Sequence, residues 1–197
     1  MFSMNRERPA LRATDRRPAT PAEAKALANP LRLRILRLCL DQALTNKQLA
    51  ERLGKDPGTV LHHVRTLVAT GFLTPEEIRH GAKGALEKPY RSTGKSWTLS
   101  LDKDATTETS ATQAMLEAFL AELAEAGPGA ARDFTRLALT LDDESLKELQ
   151  SRLREIFDDF AARPPDPGGR TYGLLFGMHL QADAGQPSGS GGVEPTS

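Results

Sequence analysis

The sequence is poor in cysteine, in aromatic residues and in long apolar runs. Cys39 is the one cysteine of 197 residues, which excludes a disulfide framework and any zinc site that needs two thiolates. Its place between two leucines predicts a small buried hydrophobic residue. The apolar runs fall far short of the roughly 20 residues that cross a bilayer, and the N-terminus lacks the apolar stretch of a secretory signal. We therefore expect a cytoplasmic protein without a membrane partner.

The chain also has no net charge, but its two halves differ sharply. Residues 1–100 contain 18 Lys and Arg against 9 Asp and Glu, and residues 101–197 contain 8 against 17. The basic half is suited to a polyanion, whereas the acidic half would repel one. A nucleic-acid site is therefore expected in the first hundred residues, although these charges would also be compatible with a solvated surface.

A helix-turn-helix is predicted within that basic half. Thr45 and Gln48 have the spacing of a capping box, which opens a helix over Asn46–Leu53 that Gly54 ends. Asp56 is a natural N-cap, and the proline after it suits the first turn of the next helix. Two helices joined by a short turn containing glycine are typical of this motif. An earlier core helix is expected to start at Pro30, after an interruption at Asn29.

The second helix of the motif separates into an apolar and a polar side. At about 100° per residue, Val60, Leu61, Val64, Leu67 and Val68 share one side. We expect the remaining side chains to enter the major groove of double-stranded DNA, where hydroxyl, imidazole and guanidinium groups can bind base edges. The predicted contacts of this recognition helix are Gly58, Thr59, His62, His63, Arg65 and Thr66.

A β-hairpin is predicted directly after the recognition helix. Phe72–Arg79 and Glu87–Thr93 have strand character, and the glycine-bearing sequence HGAKG between them supplies a turn. A basic hairpin in this place is the wing of a winged helix. The contacts predicted with the DNA backbone, from the helix-turn-helix and from this wing, are Thr45, Lys47, Lys55, Arg79, Lys83, Lys88 and Arg91.

The adjacent histidines His62 and His63 have other possible roles. Metal ligands on a helix are typically four residues apart, whereas adjacent residues diverge by about 100°. General acid or base catalysis would need a partner carboxylate and a pocket, and neither is visible in the sequence near His62. His63 could instead cover the edge of the helix core. These considerations favour DNA contact by at least one of the pair and leave the structural role of His63 open.

The sequence ALANPLRLRILRLC, followed by LTNKQLAERLGKDPGTVLHHVRTLVATGFL, resembles the ArsR (arsenic-repressor-like) family of winged-helix transcriptional regulators. The resemblance covers about residues 20–100, and EKPYRSTGKSW is similar to the family's wing. It implies a homodimer on a palindromic operator, usually repressing until an effector binds. Leu61 stands where the family often has serine, so the resemblance implies no base preference. One cysteine and four histidines, of which only His62 and His63 are neighbours in sequence, argue against the metal-sensing members.

The acidic half predicts a dimerisation or effector region. An apolar stripe of one long helix, formed by Met115, Leu116, Phe119, Leu120 and Leu123, should pack on the winged domain or on another subunit. Downstream, the pattern predicts a strand at Phe134–Leu139, a helix capped by Thr140 and a strand at Thr171–Leu180. That order suggests a small βαβ crossover unit with parallel strands.

The predicted fold class is α+β, mainly α with small β, in which a winged helix-turn-helix domain precedes a C-terminal helical/βαβ dimerisation region. We expect a sequence-specific transcriptional regulator that acts as a repressor and uses no cofactor and no metal. Any effector would be a small molecule that the sequence does not identify. The alternative is a winged-helix module that binds a protein or RNA partner. No enzyme motif is present. The predicted units are a flexible basic arm (1–18), the DNA-binding domain (19–101), the dimerisation or effector region (105–181) and a disordered tail (182–197).

Overall fold

A computed structural model describes residues 16–80, 86–101, 105–164 and 166–181, and only the backbone of residues 105–108. Three predicted features lie outside the described residues. They are residues 1–15 of the basic arm, Lys83 with the rest of the predicted hairpin tip, and the tail from residue 182.

The described part of the first domain contains four α-helices, each of which begins at a capping residue, and a 3-10 turn at Lys95–Thr98. Asn29 accepts a hydrogen bond from the Arg32 backbone amide (3.1 Å), and Thr45 and Gln48 form the predicted capping box. The break at Asn29 and the bounds of the third helix are therefore confirmed. The helices are α1 Pro21–Leu27, α2 Pro30–Leu38, α3 Asn46–Leu53 and α4 Pro57–Ala69.

Short strands complete the winged helix-turn-helix. They are β1 Arg17–Pro18, β2 Leu44–Thr45, β3 Leu73–Pro75, β4 Arg79–His80, β5 Leu86–Glu87, β6 Pro89–Ser92 and β7 Leu99–Ser100. β6 lies between β2 and β3 and is antiparallel to both, and β4 pairs antiparallel with β5. The hairpin predicted after the recognition helix is thus present in two short pieces, and the fold is α+β.

The last residues of the predicted arm, 16–18, are not free of the domain. Arg17–Pro18 pairs in parallel with Leu99–Ser100, and the Ala19 amide donates to the Ser100 carbonyl (2.8 Å). A two-residue strand shows no periodicity, so sequence patterning could not reveal it. The domain therefore begins before residue 19.

The core of the domain lies where α2, α3 and α4 meet the three-stranded sheet. Cys39 is fully buried there, as its sequence position predicted. The apolar side of α4 faces inwards at Val60, Val64 and Leu67, none of which is exposed. The core also contains Leu27, Ile35, Leu36, Leu44, Leu49, Leu53, Phe72, Leu73 and Leu99.

Helix α5, Ala105–Ala126, packs on α1 and α2 through a face that the sequence pattern did not indicate. From residue 109 onwards, where its side chains are described, the buried residues are three alanines, Ala111, Ala114 and Ala118. Small side chains let helices approach closely. The sequence pattern had instead predicted that the large apolar residues of α5 form its packing face. In the predicted stripe, Met115, Leu116 and Leu120 are exposed, so the winged domain of the same chain does not cover them.

The βαβ unit expected after α5 is not formed. Helix α6 spans Asp143–Ala162, and its N-cap is Asp142, which accepts from the Ser145 amide (2.8 Å), instead of the predicted Thr140. No strand occurs in residues 127–142 or 166–181 as described. Strands need a neighbour for their backbone groups, and these two segments have none in the described chain. Among the described helices, none is long and apolar enough to span a membrane.

Candidate nucleic-acid interface

The start of α4 is fixed by two side chains. The Asp56 carboxylate accepts from the amides of Gly58 (2.8 Å) and Thr59 (3.0 Å), which satisfies two of the donors that a helix leaves free at its N-terminus. The Asn46 side-chain amide donates to the Pro57 carbonyl (2.9 Å) and ties the start of α3 to the start of α4. The sequence pattern indicated the cap but not the Asn46 bridge, because that contact joins two helices.

The polar side of α4 presents the predicted recognition residues unequally. Thr59, His62 and Arg65 are exposed, whereas Thr66 is half-buried. The Thr66 hydroxyl donates to the His62 carbonyl within the helix (3.1 Å). Because Thr59, His62 and Arg65 are three residues apart, they form an oblique row on the open face of the helix.

The two histidines differ in environment. Their rings meet edge to face with centroids 5.5 Å apart, but His62 is exposed and His63 is half-buried. Burial lowers the pKa of His63, and the positive charges of Arg32 on α2 and of His62 lower it further. A lower pKa favours the neutral imidazole, and the Nδ1 atom of His63 has no hydrogen-bond partner within the described chain. His63 is therefore the partly covered member of the pair and His62 the outward one, and whether either binds DNA stays a prediction.

No group of three or more potential metal ligands occurs among the described His, Cys, Asp and Glu residues.

The residues predicted to contact the DNA backbone from the helix-turn-helix separate into two groups. Lys47 and Lys55 are exposed, and the ammonium of Lys47 lies 3.9 Å from the Glu51 carboxylate. Such an exposed pair is weak and leaves the lysine accessible. Thr45 is buried, and its hydroxyl already accepts from the Gln48 amide (3.2 Å). The structure gives the Thr45 side chain a capping role, and its predicted phosphate contact stays a prediction.

In the described part of the wing, the two arginines Arg79 and Arg91 are paired with carboxylates. Arg79 pairs with Glu87 (3.3 Å) across the β4–β5 pair. Arg91 forms an ion pair with Glu76 and also donates to a backbone carbonyl. Lys88 is exposed. Each of these arginines thus has a carboxylate neighbour, Glu87 on β5 for Arg79 and Glu76 just after β3 for Arg91, and these neighbours come close only when the hairpin forms.

The C-terminal end of α4 is held by a group of residues that we call the Glu23 cluster: Glu23, Arg17 and Lys95. The Lys95 ammonium donates to the Thr70 carbonyl at the end of α4 (2.6 Å) and pairs with the buried Glu23 carboxylate (2.6 Å). Two Arg17 nitrogens donate to the same carboxylate (2.9 and 2.6 Å). Hydrogen bonds from Arg17, then Lys95 and Thr20, hold the pKa of Glu23 far below its usual range. This cluster was not predicted from the sequence.

Comparison with known proteins agrees with this geometry. A family model described as a helix-turn-helix domain matches residues 27–76, which span α2, α3, α4 and the start of the wing. These residues form a helix-turn-helix domain, and the match supports a DNA-binding transcription regulator.

A solved structure of reduced HlyU from Vibrio cholerae is 21% identical and has a TM-score of 0.31; the match covers 50% of this chain and 84% of that chain. No curated protein matches.

Proposed function

We propose that this protein is a sequence-specific transcriptional repressor of the ArsR type that binds a palindromic operator as a homodimer. The observation that carries the proposal is the open face of α4. Three side chains that can bind base edges form an oblique row there, on a helix capped at its start and fixed at its end. The family match to the helix-turn-helix supports the same function.

In this proposal α4 enters the major groove. Thr59, His62 and Arg65 face base edges, and an arginine can bind guanine through two hydrogen bonds. Lys47 and Lys55 lie at the start of α3 and in the turn, where phosphate contacts set the position of the helix on the duplex. His63 does not read bases and instead supports α4 from the side of α2.

The homodimer is proposed to form through α5. Met115, Leu116 and Leu120 remain exposed after α5 has packed on its own domain through alanines. An apolar stripe of this kind marks an interaction surface. A second copy related by a two-fold axis would place two recognition helices on two half-sites of a palindrome.

The experiment compares base-reading and phosphate-binding variants on a set of operator sequences. The wild type should bind its best operator more tightly than an operator altered at one position of each half-site. Thr59→Ala or His62→Ala should reduce this difference in binding free energy by about 1–3 kcal/mol. Lys55→Ala is the matched control from the turn and should weaken binding to all sequences alike and reduce the salt dependence. Equal base preference in the wild type and both α4 variants would show that α4 does not read the operator.

A further inference from the structure

The 172–180 segment has the sequence of a strand but no strand partner within the described chain. Five of its apolar residues alternate with the period of two that a strand requires, and a sixth, Leu175, falls on the opposite side. The alternating residues are Tyr172, Leu174, Phe176, Met178 and Leu180. Among the described residues, no backbone–backbone hydrogen bond involves this segment. It is therefore an extended template whose amides and carbonyls can pair with another strand.

The surface around this segment exposes many apolar residues that a single copy of the chain leaves uncovered. Among the described residues, thirteen of the nineteen exposed large hydrophobic residues lie within 134–180, and Leu180 is 97% exposed. Helix α6 is amphipathic, yet none of its residues is buried. Exposed apolar surface on this scale marks a site of association.

The start of the segment is nevertheless fixed beside the proposed dimer surface. An Arg37 guanidinium nitrogen on α2 donates to the Tyr172 carbonyl (2.8 Å). Gly173 lies so close to α2 and α5 that a Cβ there would stand 2.9 Å from Arg37 and 3.8 Å from the Glu122 carboxylate of α5. The start of the 172–180 segment thus lies against α2 and near α5, the helix whose apolar stripe is exposed. One side of it is already occupied by α6, because the rings of Phe157 and Phe176 are 6.0 Å apart.

We propose that the 172–180 segment pairs antiparallel with the same segment of a second copy, so that the dimer shares a β-ribbon covered by the two α6 helices. This inference rests on the homodimer of the proposed function. A two-fold axis relates identical strands in antiparallel order, and a register centred on Phe176 places Leu174 opposite the partner's Met178. All alternating apolar residues then lie on one face. The nine residues of the segment, together with the α5 stripe and α6, approach the 20–30 residues per side of a standard interface.

Hydrogen exchange on the full chain tests the pairing directly. In a two-stranded antiparallel pair every second residue directs its amide to the partner. We therefore expect about half of the amides of residues 172–180 to be protected at concentrations where the protein is dimeric, and the protection to disappear on dilution. If the amides of residues 172–180 exchanged in the dimer as fast as unprotected amides, the proposed pairing would be wrong.

A matched pair of variants supplies the second measurement. Leu174 and Leu86 are 77% and 70% exposed, so aspartate at either position should leave the monomer folded. Leu174→Asp would place a charge in the shared apolar face and should weaken dimerisation in sedimentation experiments about tenfold or more, whereas Leu86→Asp on the wing should not change it. Equal dimerisation of both variants would refute the shared ribbon.

The two proposals fail in different ways. A dimer that binds its operator while residues 172–180 exchange freely would refute the ribbon and leave the proposed function standing. A ribbon dimer without operator preference would refute the proposed function and leave the ribbon. A chain that stays monomeric at all concentrations would refute both the homodimer and the pairing.

Discussion

Removing the charge at the centre of the Glu23 cluster should destabilise the domain strongly. Glu23 is buried and accepts four hydrogen bonds, two from Arg17, one from Lys95 and one from the Thr20 amide (2.8 Å). Glu23→Gln would leave two cations with their counter-charge removed. Breaking a buried ion pair costs about 3–5 kcal/mol, and the half-exposed side chain of Arg17 places this site near the lower end, at about 3 kcal/mol. For a chain of this size the melting temperature should fall by about 6 to 12 °C.

The loss of stability caused by Glu23→Gln should depend on pH. Because the hydrogen bonds from Arg17 and Lys95 lower the pKa of Glu23 in the folded state, the carboxylate stabilises the fold at pH values above its unfolded pKa of about 4.3. Its contribution is lost as the pH falls below that value towards the folded pKa. The difference in unfolding free energy between wild type and Glu23→Gln should therefore be largest near neutral pH and should shrink on acidification.

Urea unfolding at a series of pH values measures both effects. Glu51→Gln is the matched control, because Glu51 is exposed and its pair with Lys47 is long (3.9 Å). That substitution should cost about 0.5 kcal/mol or less and add little pH dependence. If Glu23→Gln were no more destabilising than Glu51→Gln, or if its cost grew at low pH, the cluster would not hold the end of α4 as described.

Two further predictions concern single residues of the domain. Cys39 is fully buried, and burial raises the pKa of its thiol to about 11, so a thiol reagent at pH 8 should react only after denaturation; rapid labelling of the folded protein would contradict this. Gly54 adopts φ of 60° with open space where a Cβ would lie, so Gly54→Ala should cost about 1–2 kcal/mol in urea unfolding from backbone strain alone, and Gly54→Asn less. Equal stability of Gly54→Ala and wild type would show that the turn relaxes.

The helix-turn-helix could be predicted from the sequence because its determinants are local. Thr45 with Gln48, Gly54 and Asp56 each act within a few residues, and the structure uses each of them at the predicted place. The apolar side of α4 follows from a single helical period. The outward face of α4 could therefore be predicted as well, although the contact of its residues with DNA stays a prediction.

The remaining features depend on contacts between distant parts of the chain. Lys95 meets Glu23 although the two lie at opposite ends of the domain's sequence, and the wing arginines meet carboxylates that only the folded hairpin brings close. The packing face of α5 consists of alanines, which a search for large apolar residues passes over. The 172–180 segment has the correct alternation for a strand, but periodicity does not supply the partner that a strand needs.

Selection of bound fragments from random DNA by the full-length protein tests the central claim most directly. We expect enrichment of a palindrome whose half-sites lie about one helical turn apart, and binding that weakens steeply as salt rises. Loss of the enriched sequence in the His62→Ala and Thr59→Ala proteins would show that α4 recognises the bases of the operator. Recovery of fragments without any shared sequence, bound equally well by wild type and variants, would contradict the account.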